Sequence, residues 1–420
     1  MKTWSCRRPA PEPTPKIVTE QKGQPRAENP WKTRLFVLTM AHVVGTLHIT
    51  TLVVMAPLVK EDLTLTFAQV GLLVTAYSTG QITGSLPAGT LTDRVGVGWA
   101  LVVAHLFLIA GALLLTQATG APSAMAAMLV TGWGYSIVNP ATAKGVFDAF
   151  PPERRATAMG IKQTGVPLGG VLAAGLGSFA TPEIWPTVTG VVAGVSVAGG
   201  LLCLAIVERP KPRPKAESAG KRGGLGEVIR DFNFSRFVAA NFCYNMGQAS
   251  FFAYLTLFMR EVAQASQEVA GIAYGVAQVS SVAARLGWGA VSDFLFKGRR
   301  KMLTVGIGFF AAVFLAAMTL VEPRWGVTMG IGLSVALGLT IASYAPLMQT
   351  MAVESVEPRL VGAGTGYNMV GTSLASIVGP PAFGWIVDVT GEFDSGWTMI
   401  ALLVALGVAI MAFGFRERGR

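Results

Sequence analysis

Five ionisable side chains stand inside long apolar stretches of the sequence. They are His42, His48, Lys144, Lys162 and Arg285. Placing a charge at the centre of a membrane helix costs about 2.5–3.5 kcal/mol, so such a residue is a functional candidate by default. The fixed charges are all positive, and no Asp or Glu is predicted at mid-depth. Because positive charges in a low dielectric stabilise an anion, the pattern predicts anion binding and disfavours sugars and cationic drugs.

The elements that must position these charges are apolar segments of membrane-spanning length. The chain is 52% hydrophobic and only 13% charged, with a mean hydropathy of +0.53, whereas soluble domains contain roughly 25% charged residues. A helix needs about 20 apolar residues to cross a bilayer. Twelve such segments are predicted, at 34–58, 67–91, 98–118, 122–147, 157–180, 184–207, 237–259, 267–291, 302–321, 325–350, 361–387 and 395–415. The expected fold class is therefore an all-α membrane protein with twelve transmembrane helices.

The basic residues predict the orientation of these segments. With the N-terminus inside, the inner loops and tails hold 27 of the 33 Lys and Arg residues, and the outer loops hold Lys60, Arg260 and Arg324. An excess of basic residues marks the cytoplasmic side. Both termini are thus expected to be cytoplasmic, in a multi-pass protein of the bacterial cytoplasmic (inner) membrane. Nucleic-acid binding is disfavoured because no folded basic domain is present.

An internal duplication divides the chain into halves. Gly89 and Asp93 recur 200 residues later as Gly289 and Asp293, and Asp148 has a counterpart in Glu354. Repeats of this kind are typical of membrane carriers whose substrate path lies between two bundles. The predicted organisation is a disordered cytoplasmic tail (1–32), a six-helix bundle (33–207), a basic cytoplasmic linker (208–236), a second, pseudo-symmetric six-helix bundle (237–416) and a short cytoplasmic tail (417–420).

Over residues 33–416 the chain resembles a major facilitator superfamily transporter. Gly89, Asp93, Arg94 and Gly96 are similar to the signature loop of that family between spans two and three, with Gly289 and Asp293 as a weaker second copy. The resemblance implies that this loop helps to hold the outward-facing state. It also implies that Asp93 caps or pairs at the interface between the halves and that Asp148 receives a basic residue. Val97 and Gly98 replace the usual basic residues, so Arg94 is the expected partner of Asp148. The implied gating residues are Gly89, Asp93, Arg94, Gly96, Asp148, Gly289, Asp293 and Glu354.

A finer resemblance, carried by Arg285 a few residues before Gly289, is to carriers of the monocarboxylate and oxalate/formate type. In the family fold, spans five and eight face each other across the halves. A two-sided clamp is then expected, in which Arg285 binds a carboxylate bidentately and Lys162 adds a point charge. Gln163, Thr164 and Asn368 are expected to supply orienting hydrogen bonds to the anion. The resemblance also implies that spans four and seven line the cavity, which favours Tyr135, Asn139 and Tyr244 as lining residues.

Purely structural roles remain open as alternatives for the ionisable residues. Lys162 can snorkel to the cytoplasmic surface, Arg285 can pair with Asp293, and Lys144 can be structural. His48, near the middle of span one, is the candidate for proton coupling, or it is a histidine bonded to a neighbouring helix carbonyl. His42 lies six residues away, about 240° around the helix, so the two histidines cannot share one site directly.

The function predicted from these features is secondary active transport of a small organic anion, a carboxylate, by alternating access with proton symport or anion exchange. The expected partners are the anion, the lipid bilayer and protons, and the expected protein is a monomer without metal or cofactor. An enzyme is disfavoured because no nucleophile–base pair or metal-ligand spacing is found. Two alternatives remain: a proton-driven multidrug or metabolite exporter, which requires a carboxylate in the cavity, and a transport-inactive sensor or assembly protein, favoured only by the N-terminal tail.

Overall fold

The computed structural model describes residues 31–208, 224–296 and 299–417, and these ranges are helical without a β-strand. The predicted tail, most of the linker and residues 418–420 lie outside the described residues. The α-helices are α1 (Trp31–Val54), α2 (Ala56–Asp62), α3 (Phe67–Val95), α4 (Val97–Thr116), α5 (Ala121–Ala149), α6 (Pro152–Gln163), α7 (Gly165–Ser178), α8 (Trp185–Cys203), α9 (Leu225–Arg230), α10 (Phe232–Glu261), α11 (Gln267–Phe294), α12 (Arg300–Ala317), α13 (Gly326–Leu339), α14 (Ala345–Glu354), α15 (Val361–Thr390) and α16 (Phe393–Ala409).

Each apolar segment predicted from the sequence falls on one helix or on a pair of consecutive helices. The fifth segment is divided at Thr164 into α6 and α7, and the tenth is divided at residues 340–344 into α13 and α14. Helix α10 starts at Phe232, five residues before the predicted segment. Within the described ranges, seven helices are long and apolar enough to cross a membrane by length and composition. The all-helical prediction is confirmed.

Local sequence explains where key helices start and stop. The side chain of Thr66 accepts a hydrogen bond from the backbone N–H of Gln69, and the side chain of Gln69 accepts one from the backbone N–H of Thr66. This capping box starts α3. At its other end α3 stops at Gly96, whose φ of 85° is accessible to glycine at little cost. Because α4 begins at the next residue, Gly96 makes the sharp corner between α3 and α4. The glycine of the predicted signature loop therefore has a direct conformational role.

The helices pack mainly within two halves, residues 31–208 and 224–417. In the first half α5 packs between α3 and α4, and α7 and α8 cover α1; in the second, α10 packs against α15 and α16, and α11 against α13. Gly80 of α3 and Gly132 of α5 let these helices touch, because a Cβ at either position would strike the backbone of the other helix. The halves meet mainly through the pairs α3 with α15 and α7 with α11.

The hydrogen bonds between the two halves that the described residues make lie toward one end of the molecule. We call the end at which α1, α10 and α15 begin the terminal side, and the opposite end the far side. On the far side Asp388 accepts hydrogen bonds from the amides of Phe67 (2.9 Å) and Ala68 (2.8 Å). Further bonds between the halves join Tyr254 to the Phe67 carbonyl, Thr256 to the Val53 carbonyl, Gln267 to the Val54 and Gly177 carbonyls, and Thr75 to the Ile377 carbonyl.

On the terminal side, the described residues show no hydrogen bond or ion pair between the halves. Glycines on α3, α6, α11 and α15 face open space there: a Cβ added at Gly89, Gly160, Gly289 or Gly366 would find no atom of another element within 4 Å. On the far side, a Cβ at Gly71 or Gly271 would strike the opposite half. The halves are thus closed against each other on the far side and apart on the terminal side.

Candidate functional site

Lys162 is placed by the break between α6 and α7. Its side chain is fully buried, and Nζ donates a hydrogen bond to Asn139 Oδ1 of α5 at 3.0 Å. It lies one residue before the end of α6, where the helix dipole favours a cation. The snorkelling alternative is therefore not what the structure shows, because this ammonium group points to a partner inside the protein.

Arg285 is placed by the second helix break. Residues 340–344 leave backbone carbonyls outside the helical ladder, and side chains of α11 bind one of them: Ala342 O accepts from Arg285 Nη2 and from Ser281 Oγ, both at 3.1 Å. Arg285 Nε is buried and has no hydrogen-bond partner among the described residues. The expected alternative partner, Asp293, has its side chain outside the described part. Arg285 thus retains donor capacity for a ligand.

Tyr135 and His42 connect the two cations. Tyr135 of α5 lies within electrostatic range of Arg285, which belongs to the other half. Its hydroxyl is 3.4 Å from His42 Nε2, and the two rings meet edge to face. His42 in turn lies within electrostatic range of Lys162. We call Lys162, Asn139, His42, Tyr135 and Arg285 the cationic cluster.

The other predicted lining residues divide into two groups. Asn139, which binds Lys162, and Gln163, which follows Lys162 in the chain, are both exposed. Asn368 is buried, and its Oδ1 accepts from Asn241 Nδ2 at 2.8 Å within the second half. Tyr244 is fully buried, and its hydroxyl donates to the Thr304 carbonyl at 3.0 Å. Tyr244 is therefore not open to a ligand, because its polar end faces α12.

The histidine predicted to couple protons lies away from the cationic cluster. His48 Nε2 is 2.6 Å from Ser196 Oγ of α8, inside the first half. This arrangement is similar to the alternative expected for His48, a histidine bonded to a neighbouring helix, except that the partner is a hydroxyl group and not a backbone carbonyl. The third histidine of the chain, His105 of α4, lies within electrostatic range of His48. It was not predicted as a site residue, although it lies in the apolar segment 98–118. As the helical angle predicted, His42 and His48 have different neighbours.

The charges of the signature loop pair differently from the expectation. Lys144 Nζ lies 2.5 Å from Asp93 Oδ1, within the first half, so Lys144 is a partner of the loop. Arg94 and Asp148 are both exposed and form no ion pair with each other in the structure as described, so that expected pairing stays a prediction for the outward-facing state. In the second half Arg300, at the start of α12, pairs with Glu354 at 2.5 Å.

The residues of the second half that hold the helix break were not predicted from the sequence. The break at 340–344 is held by Gln248, which donates to the Ile341 carbonyl, and by Trp288, which donates to the Leu339 carbonyl. Pro346, which disfavours a continuous helix, was the available signal. Within the described ranges no group of three or more His, Cys, Asp or Glu side chains is arranged to hold a metal ion.

The chain is similar in sequence and in fold to several known transporters. The chain is 28% identical over 398 residues to a hexuronate transporter of Bacillus subtilis, which covers 90% of this chain and 92% of the relative. It is 29% identical over 296 residues to monocarboxylate transporter 11 of Mus musculus, covering 66% of this chain and 63% of that relative. A bacterial homolog of the human lysosomal transporter Spinster, solved in an inward-facing and occupied conformation, superposes with a TM-score of 0.74 at 16% identity over 93% of this chain and 98% of that one.

The sequence profile of the Major Facilitator Superfamily matches residues 38–329 and 264–420. These matches extend over both halves and the interface between them. The resemblance seen in the signature loop is confirmed, and the chain belongs to the Major Facilitator Superfamily of transporters.

Proposed function

We propose that this protein is a secondary active transporter that moves a small organic anion, a carboxylate, across the bacterial cytoplasmic membrane by alternating access. It crosses the membrane twelve times as two six-helix bundles, residues 33–207 and 237–416, and works as a monomer with both termini in the cytoplasm. The terminal side is then the cytoplasmic side. Proton symport or anion exchange drives transport.

The observation that carries this proposal is the state of Arg285. A guanidinium group binds a carboxylate through two parallel N–H donors, and the buried Nε of Arg285 lacks a partner in the described residues. A buried donor left unsatisfied costs about 1–3 kcal/mol. A carboxylate that reaches Nε and a terminal nitrogen would remove this cost, so the site favours an oxyanion over a neutral ligand.

Lys162 adds to the same preference from the other half. Its ammonium group is buried and its one described hydrogen bond is to a neutral amide. No Asp or Glu side chain among the described residues pairs with Lys162 or Arg285. The exporter alternative requires a carboxylate in the cavity, and the described cluster offers none. The names of the two relatives, a hexuronate and a monocarboxylate transporter, agree with a carboxylate as substrate.

Alternating access is supported by the asymmetry of the contacts between the halves. A carrier that is closed on the far side and open on the terminal side exposes its site to one compartment only. The Spinster homolog, solved in an inward-facing conformation, has a similar fold. The structure therefore fits a state in which the cationic cluster is reached from the cytoplasm.

The test is uptake into proteoliposomes of radiolabelled hexuronates and monocarboxylates, with and without a pH gradient. Arg285→Gln and Lys162→Gln are compared with the wild type, and Arg324→Gln is the matched control because Arg324 is exposed outside the cluster. Loss of a charged hydrogen bond worth about 1.5–3 kcal/mol should lower uptake by Arg285→Gln roughly tenfold or more, with Arg324→Gln unchanged.

Two results would overturn the proposal. If the wild type moves none of these anions but expels a lipophilic cation, the exporter alternative takes its place. If it moves neither, while the protein is folded and correctly inserted, the sensor alternative does. If anions are moved equally well by both cluster variants, anion transport stands and the assignment of Arg285 and Lys162 is wrong.

A further inference from the structure

His42 occupies a position from which a proton and an anion can influence each other. The residue is 1% exposed, on the face of α1 that packs against α5 and the junction of α6 and α7. The titratable and charged groups around it are Tyr135 of α5 and Lys162 of α6, with Arg285 of α11 and Tyr77 of α3 behind Tyr135. None of these neighbours is an acid that could neutralise a charged imidazole.

The hydrogen bonds of the neighbours fix which ring nitrogen can accept a proton. Thr142 Oγ1 donates to the Val138 carbonyl at 2.7 Å, so its oxygen is available only as an acceptor for His42 Nδ1, 3.4 Å away. The neutral ring therefore carries its proton on Nδ1 and presents the lone pair of Nε2 to the hydroxyl of Tyr135. Nε2 is the atom that would be protonated.

The same network can accommodate that proton. Thr46 lies near Tyr135, and the hydroxyl of Thr46 donates to the His42 carbonyl at 2.9 Å, which leaves its oxygen as an acceptor. When Nε2 gains a proton, Tyr135 can turn its own O–H toward Thr46 and accept from His42. Nε2 then has a partner in both protonation states, so the obstacles to protonation are the burial of the ring away from water and, after it, the positive charge of Lys162.

From these contacts we infer that His42, and not His48, takes up the proton that accompanies the anion. The inference rests on the proposed function. With the site empty, a charged His42 is repelled by Lys162 and, through Tyr135, lies close to Arg285. An anion held by the two cations cancels that repulsion, so His42 binds a proton when the anion binds. Because coupling between two ligands is reciprocal, the proton must tighten anion binding by the same factor.

The experiment measures binding and transport of the hexuronate D-glucuronate between pH 5 and 9. In the wild type, binding should weaken by up to about tenfold per pH unit between the titration of His42 in the empty protein and its titration in the anion-bound protein, and should level off above the latter. In His42→Gln this dependence should fall below about twofold over the whole range. Exchange of internal for external glucuronate should persist, while accumulation driven by a pH gradient should be lost. His48→Gln is the matched control and should behave like the wild type.

A second variant keeps the inference testable if His42→Gln does not fold. Tyr135→Phe keeps the aromatic ring but removes the acceptor for Nε2–H, so the onset of weak binding should move to lower pH. A wild-type pH dependence in either folded variant, or its loss in His48→Gln, would overturn the role of His42. If the wild type fails to bind glucuronate at any pH, the same measurements with lactate separate a wrong substrate from a wrong coupling residue.

Discussion

The far side and the terminal side of the molecule use their polar residues in opposite ways. On the far side, side chains of one half bind backbone groups of the other, as Asp388 does at the first amides of α3. On the terminal side, the described ion pairs stay within a half: Lys144 with Asp93 in the first and Arg300 with Glu354 in the second. The far-side contacts therefore hold the two halves together in this structure, whereas the described terminal-side ion pairs lie within one half.

The two copies of the signature loop also differ. In the second half the cation comes from the start of the next helix, where Arg300 reaches Glu354. The first half has Val97 and Gly98 at the start of α4, and its cation comes from α5 as Lys144. Both halves have a charge pair near the predicted membrane surface, but the pairs are not counterparts, because Asp93 belongs to the loop whereas Glu354 corresponds to Asp148.

The largest effect is expected from locking the far side. A Cβ on Gly275 of α11 would lie 3.1 Å from the Cβ of Ala174 of α7, near the roughly 3.5–4.5 Å spacing of disulfide-linked residues. In a Cys6→Ser background, oxidation of the Ala174→Cys, Gly275→Cys double variant should reduce uptake more than about tenfold, because alternating access requires this side to open. Reduction should restore uptake, and the single variants are the controls. Full uptake by quantitatively cross-linked protein would show that this side does not open.

A smaller effect is expected from Asp388→Asn. The neutral amide loses the attraction of a carboxylate for the N-terminus of α3, so the far side should open more often. Labelling of Ala174→Cys by an impermeant maleimide from that side should accelerate about fivefold, since hydrogen bonds to charged groups are stronger than neutral ones. Glu392→Gln is the control, because this exposed acid makes no described contact with the first half. An unchanged rate in Asp388→Asn would mean that the other far-side bonds suffice.

The smallest effect is expected from Lys144→Gln and Arg300→Gln. Exposed ion pairs contribute about 0.2–1 kcal/mol, and these two do not cross the halves. The rate of maleimide labelling at Ala174→Cys should therefore change less than about threefold. Thermal stability should fall modestly, and in the first half the reversed pair, Lys144→Asp with Asp93→Lys, should restore it. A labelling change larger than that of Asp388→Asn would contradict the contrast between the two sides.

Much of the fold could be predicted because its signal is local. The helical segments follow from runs of apolar residues, and the family follows from the glycine and acidic residues around Gly89 and Asp93. The helix breaks were harder to predict, because Pro346 marks only the start of α14 and the unwound residues precede it. The partners of individual side chains were the least predictable: Asn368 binds Asn241, and Tyr244 binds a backbone carbonyl.

Hydropathy and charge are local properties, and they suffice to identify an all-helical member of the Major Facilitator Superfamily with cations and histidines in its apolar segments. The directions in which those groups point are set by tertiary packing. The rotation of α1 brings His42 toward Lys162 and turns His48 toward Ser196, and the meeting of α7 with α11 and of α3 with α15 closes the far side. Both outcomes depend on packing between residues far apart in the chain, and this is why no local pattern determines them.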